Sequence, residues 1–246
     1  MTTSEIAPLA NVPERFTVAI DGPAAAGKST VADLVAQALD AVVFDTGILY
    51  RAVTLLAVEA GIEPDNETTL ASIAASIDVD VRPPSMPDGR KLDVYLRGRD
   101  VTWELRSPEV DRLLSPIAAL PKVRMALLEP QRRIGRSGRV VVVGRDIGTV
   151  VLPDADLKIF LMASPNERAR RRHEEMISAG KEQPFDAVVE ALTRRDKIDS
   201  ERALSPLTPA ADALVIDSDG TPASEVARRI VAEFEKTHEA GSASDD

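Results

Sequence analysis

Eight consecutive residues, Gly22-Pro23-Ala24-Ala25-Ala26-Gly27-Lys28-Ser29, match in full the glycine-rich pattern that cradles a nucleoside triphosphate. The residue types explain the chemistry. Glycines permit backbone angles that turn successive N–H groups onto a β-phosphate. A helix starting near Lys28 aims its positive dipole end at the same oxygens. Lys28 is placed to bridge β- and γ-phosphate oxygens and the Ser29 hydroxyl to ligate Mg2+, while Thr30 closes the ATP-binding set. A glycine turn that merely caps a helix would use similar residues. The context argues for the phosphate loop, because a hydrophobic strand precedes it and an amphipathic helix follows.

The loop gives triphosphate binding but not the reaction. A GTPase would carry a guanine-reading Asn-Lys-x-Asp, and none of Asn11, Asn66 or Asn166 is followed by Lys. A motor-type ATPase would show a strand ending in Asp-Glu, whereas the valine run 140–143 ends in Gly144-Arg145-Asp146. A transferase is the better expectation. An acceptor anion could be held by Asp45-Thr46-Gly47, where Thr46 can hydrogen-bond a phosphate oxygen and Arg51 can clamp one in bidentate geometry. Arginines crowd 168–172 and recur at Arg194, Arg195 and Arg202, a basic patch within an acidic chain. A solvated helix face is the competing reading of that patch.

These residues need a scaffold that alternates strand and helix. Phe16–Ile20, Ala41–Phe44, Val140–Val143, Leu157–Met162 and Ala213–Ile216 read as five short strands, Val140–Val143 as one buried on both faces. The stretch from Lys28 to Leu39 places Val31, Leu34, Val35 and Ala38 at helical spacing. The pattern predicts a doubly wound, three-layer α/β/α fold with a central parallel five-stranded sheet. Ligands of such sheets collect at the carboxyl ends of the strands. Alternation at 77–81 and 92–96, turned by Pro83-Pro84-Ser85-Met86-Pro87-Asp88-Gly89, with 98–102 as a third strand, predicts a small antiparallel insertion. Residues 166–202 predict a charged helical segment divided at Gly180 and Pro184.

Composition removes other classes. The 246 residues include no cysteine, so disulfides, thiolate chemistry and cysteine metal sites are excluded, and the only histidines, His173 and His238, lie too far apart in sequence to favour a histidine-built zinc site. A net charge of −10 argues against a general nucleic-acid binder. No apolar run approaches bilayer length and the first residues lack a basic secretory start, so a cytoplasmic chain without membrane partners is expected. No exposed apolar seam is evident, and a monomer is the expectation.

The phosphate loop, Asp45-Thr46-Gly47 with Tyr50-Arg51-Ala52-Val53, Gly144-Arg145-Asp146-Ile147-Gly148-Thr149-Val150-Val151 and Arg195-Asp196-x-x-Asp199-x-x-Arg202 together resemble the bacterial cytidylate kinases. The stretch Pro206-Leu207 followed by Ala210-Ala211-Asp212-Ala213 completes the resemblance, which runs from about Phe16 to Ile216. It implies a P-loop nucleoside monophosphate kinase that phosphorylates CMP and dCMP with Mg·ATP. It further implies a core, a monophosphate-binding insertion and a helical lid. The boundaries expected are a disordered lead-in at 1–14, one kinase domain at 15–236 and a disordered tail at 237–246. Within the domain, 15–46, 136–165 and 203–236 form the core, about 47–135 the insertion and about 166–202 the lid.

By the same resemblance, Thr46, Arg51, Arg145 and Arg195 would hold the acceptor phosphate. Ser115, Arg124, Asp146 and Arg202 would surround the cytosine, and Asp199 would reach the sugar hydroxyls. Lys28, Arg145 and Arg195 would be the catalytic cations, with Arg168, Arg171, Arg172 and Arg194 as further lid candidates. Family lids often carry arginine directly before the second lid aspartate, where this chain has Ile198 beside Lys197. Alternatives left open are a P-loop kinase for UMP, AMP or a metabolite such as shikimate, and a non-catalytic nucleotide-binding regulator.

Overall fold

The computed structural model describes Ile6, Leu9, residues 12–178, Gly180 and residues 182–242. Most of the expected lead-in and residues 243–246 of the expected tail lie outside the described residues. The chain forms two compact units, 1–45 with 131–246, and 46–130.

The first unit is built on five parallel strands: β1 (Phe16–Asp21), β2 (Val42–Asp45), β6 (Arg139–Val143), β7 (Leu157–Met162) and β8 (Leu214–Asp217). Their order is β2-β6-β1-β7-β8, so the strand that leads into the phosphate loop is central. All six residues of β1 are buried, as a strand covered on both faces requires. One face carries α1 (Lys28–Ala38) and α8 (Ala223–Ser242). Val31, Val35, Val226, Ile230 and Phe234 from those helices pack against Val18, Ile20, Val141 and Ile159 of the sheet. The other face carries the end of helix α5 (Pro121–Gly135) and a π-helical turn, Ile147–Val151. Gly135 is the point of close approach there, since a Cβ on it would lie 2.4 Å from Leu152 and 3.4 Å from Val142. Helices on both faces of a parallel sheet make the predicted three layers. Helix α8 continues to Ser242, so the expected tail at 237–246 begins inside a helix.

The charged segment forms α6 (Pro165–Ser178) and α7 (Phe185–Glu201), divided where the sequence places Gly180 and Pro184. Ala169, Val188 and Leu192 pack with Ala24 of the phosphate loop in a small cluster of their own. The arginine-rich helices are thereby seated on the loop.

The second unit contains α2 (Gly47–Ala60), α3 (Glu67–Ala75), α4 (Pro108–Ala119) and the first part of α5. It also holds the antiparallel sheet β3 (Val79–Arg82), β4 (Asp93–Leu96) and β5 (Arg99–Asp100). Val94 and Leu96 of β4 pack on Ala52, Leu55, Leu105 and Val110. Arg90 ties the sheet end by ion pairs to Asp88, Asp93 and Asp100, all at 2.8–2.9 Å.

Candidate active site

The chain leaves β1 through Gly22, at φ 145°. A Cβ at that position would meet the Leu161 carbonyl oxygen of the adjacent strand at 2.1 Å, so the loop passes over β7 only with glycine there. Gly22→Ala is therefore expected to destabilise the fold by about 3 kcal/mol and to weaken ATP binding with it. Thermal melts with and without ATP measure both effects.

The loop closes at Gly27, which caps α1 in the left-handed conformation at φ 89°. No side chain caps the helix and its first turn has no acidic residue, which leaves the positive end of the helix uncompensated. Ser29 and Thr30 stand exposed on that first turn. Lys28 is buried and donates from Nζ to the Pro23 carbonyl at 2.6 Å, folded back across its own loop. Burial holds its ammonium well below the usual lysine range. Arg145 and Arg195 push in the same direction, against the smaller pull of Asp45 and Asp21. Three cations thus share one field at the carboxyl ends of the strands.

Arg145 and Asp146 follow β6. Arg145 donates from Nε to Asp199 at 3.1 Å and from Nη1 to the Gly144 carbonyl at 3.1 Å. Asp199, on α7, is also 4.0 Å from Arg195 Nε and 3.9 Å from Arg202 Nη1. Arg202 reaches Asp146 at 3.6 Å and donates from Nε to the Ser205 carbonyl. Arg145, Asp146, Arg195, Asp199 and Arg202 are therefore one cluster, in which three guanidinium groups meet two carboxylates. Asp146, Asp199 and Arg202 are buried, while Arg145 and Arg195 keep 19% and 31% of their side chains exposed.

The remaining arginines separate by surroundings. Arg168 is 5% exposed and spans the Ala163 and Ala24 carbonyls and the Asp196 carboxylate, the last at 2.7 Å. In this conformation it staples the helices to the phosphate loop. Arg171 bonds Glu167, the Ala26 carbonyl and both oxygens of Ser218. Together they border a cavity of about 400 Å3, lined also by Gly27, Thr30, Gly220 and Pro222. Arg172 pairs with Glu175, and the exposed Arg194 with Glu190.

In the second unit, Thr46 is buried directly before α2. Arg51 donates to the Leu105 carbonyl at 2.7 Å and to Asp111 at 2.8 Å. Arg124 is buried over the Tyr50 ring, 5.4 Å from its centroid, and donates to the Ala118 carbonyl. Ser115 lies half-buried on α4.

The cytidylate kinase family model matches residues 18–236. The chain belongs to the cytidylate kinase family. It is 50% identical to the cytidylate kinase of Chloroflexus aggregans over 86% of this chain and 90% of that one. The corresponding figures are 48%, 87% and 94% for the cytidylate kinase of Pelotomaculum thermopropionicum. For that of Bacillus subtilis they are 42%, 91% and 98%.

Three neighbours of the phosphate loop and the arginine cluster were not singled out by sequence reasoning: Asp21, Arg132 and Ser218. Asp21 had a signal, being an acidic residue at the end of a strand otherwise hydrophobic enough to be central. Its carboxylate accepts from the Ile147 and Gly148 amides at 2.8 Å each. Burial raises its pKa to about 6 in spite of those two bonds. Arg132 and Ser218 gave no local signal, because their partners lie far along the chain.

Proposed function

We propose that this chain transfers the γ-phosphoryl group of ATP to CMP and dCMP, giving CDP or dCDP and ADP. The observation that carries the reaction is Lys28, buried and folded back on its own phosphate loop, in a field shared with Arg145 and Arg195. Membership of the cytidylate kinase family supports the acceptor, as do relatives of that name at 42–50% identity.

The donor triphosphate lies along the 22–30 loop in this reading, with its base in the cavity bordered by Arg171, Ser218 and Pro222. Lys28 leaves the Pro23 carbonyl for phosphate oxygens. An anion there favours its charged form, which burial alone disfavours. The donor set suits Mg2+, since this ion prefers few protein ligands beside phosphates and water, and the exposed Ser29 hydroxyl supplies one. Bound there, Mg2+ neutralises charge on the phosphate oxygens.

An oxygen of the acceptor phosphate attacks the γ-phosphorus while the bond to the β-bridging oxygen breaks, and ADP leaves with that electron pair. Two anions must approach each other for this, so positioning and charge neutralisation supply most of the catalysis. Arg145 and Arg195 are assigned to that charge, with Thr46 and Arg51 holding the acceptor phosphate. No protein base is required, because the attacking oxygen is already anionic. Asp146 accepts from the cytosine amino group, and Arg124 and Arg202 donate to N3 and O2. Ser115 is assigned to the same base and Asp199 to the sugar hydroxyls. Uracil would set O4 against a carboxylate and leave buried polar groups unpaired.

Among the described residues no helix is long and apolar enough to cross a membrane. A monomer acting in the cytoplasm, in pyrimidine nucleotide metabolism, is part of the same proposal. A coupled ADP-release assay with Mg·ATP against CMP, dCMP, UMP, AMP and GMP tests it. Turnover confined to CMP and dCMP is the expected result. Preference for another acceptor, or no turnover with any, would overturn it.

A further inference from the structure

The five residues Ile147–Val151 form a π-helical turn, an arrangement with weak local support that recurs at functional sites. Its wide hydrogen bonds run from Val151 N–H to the Asp146 carbonyl at 3.1 Å and from Leu152 N–H to the Ile147 carbonyl at 2.7 Å. The Asp146 carbonyl also accepts from Val150. Asp146 therefore caps the start of the turn through its backbone carbonyl, and Arg145 precedes it directly.

Both ends of the turn are held from outside. At its start, the two oxygens of Asp21 accept from Ile147 and Gly148 N–H at 2.8 Å each. At its end, Arg132 donates from Nε to the Val151 carbonyl at 3.1 Å and from Nη2 to the Val150 carbonyl at 3.3 Å. An anion thus meets the exposed N–H groups and a cation meets the exposed carbonyls, which is the charge order that a helical dipole favours. Neither group is on the turn: Asp21 ends β1 and Arg132 lies on α5. The flank is closed as well, for a Cβ on Gly148 would lie 3.2 Å from the Lys158 side chain.

We propose that Asp21 and Arg132 are positioning residues for acceptor selection, clamping the two ends of the π-helical turn so that Arg145 and Asp146 face the acceptor in one fixed orientation. The inference rests on the functional reading above, in which Asp146 reads the cytosine. It adds two residues that touch neither nucleotide and act through the backbone. Buried polar groups of this kind are strong constraints, because any relaxation leaves donors or carbonyls unsatisfied.

The test uses Asp21→Asn, Arg132→Met and Arg132→Lys in the full chain. Asparagine keeps the shape of Asp21 but sets an NH2 group against one of the two amide donors. The expected result is a fall of about 100-fold in kcat/KM for CMP with the KM for ATP unchanged. A smaller fall for UMP should accompany it, so that the CMP/UMP ratio drops. Arg132→Lys, which can keep one of the two carbonyl bonds, should recover part of what Arg132→Met loses. Hydrogen exchange should quicken at the Ile147 and Gly148 amides in Asp21→Asn. Unchanged exchange at those amides would overturn the clamp, and so would equal losses toward CMP and UMP accompanied only by a lower Tm. Should the parent chain not phosphorylate CMP at all, the functional reading fails, while the exchange measurement still decides whether the clamp exists.

Discussion

Lys28→Met should cut phosphoryl transfer by about 1,000-fold or more while leaving the melting temperature equal or higher. The two halves of this expectation come from the same environment. Lys28 is buried against a loop carbonyl, and burial together with the charges of Arg145 and Arg195 disfavours its charged form. Its pKa in the folded chain is therefore lower than in the unfolded one. Between those two values the unfolded chain binds more protons, so stability rises with pH across that window. At any pH below the unfolded value, burying this lysine works against folding, either as a charged ammonium or through the loss of its proton. Methionine of similar length removes that penalty and loses only one hydrogen bond, to Pro23. A bound triphosphate reverses the balance, because it supplies the negative charge that the folded chain lacks. Parallel ADP-release assays and thermal melts at several pH values would check this. Near-normal turnover would remove the loop from the donor site, and a large drop in Tm would show that the lysine is structural.

Much of the scaffold was legible because its signals are local. The five parallel strands are short apolar runs between turn residues, and each appears within a residue or two of its expected place. Val140–Val143 reads as a strand buried on both faces, and β6 lies between β2 and β1. The antiparallel insertion was legible from alternation and from the proline-rich turn. Its last strand is shorter than expected, Arg99–Asp100, because only those two residues pair with Tyr95 and Leu96. The π-helical turn was not legible. Its sequence, Ile147-Gly148-Thr149-Val150-Val151, has a poor helix former and three β-branched residues in a row. Its conformation depends on Asp21, 126 positions away from Ile147, and on Arg132.

The site divides the same way. The resemblance to the cytidylate kinases picks out Arg195, Asp199 and Arg202, and the structure brings them together with Arg145 and Asp146. It could not sort the other arginines, because a guanidinium that holds a ligand and one that holds the backbone look alike in sequence. Arg168 shows the difference: it is buried against two carbonyls and Asp196, a set of partners drawn from three separate parts of the chain. Arg168→Ala should accordingly lower stability as well as activity, whereas Arg194→Ala, at an exposed helix pair, should barely change the Tm. Thermal melts of the two variants separate a staple from a solvent-facing arginine.

Asp146→Asn is expected to lower kcat/KM for CMP by about 10- to 100-fold and to spare UMP or improve it. The carboxylate can only accept, which suits the amino group of cytosine and opposes O4 of uracil. An asparagine amide can donate or accept at the same place, so the opposition to uracil disappears. Asparagine is the better substitution because Asp146 also lies 3.6 Å from Arg202, which is nearly fully buried. Alanine would remove both a base contact and a counter-charge, and a loss of activity could then reflect local unfolding. With asparagine the shape is kept, and Arg202 still has Asp199 at 3.9 Å and the Ser205 carbonyl. The KM for ATP separates the remaining explanations. If it stays constant while the CMP/UMP ratio falls, Asp146 reads the acceptor base. If ATP binding weakens as much as CMP binding, Asp146 acts on the triphosphate and its metal, and cytosine discrimination then falls to Ser115, Arg124 and Arg202.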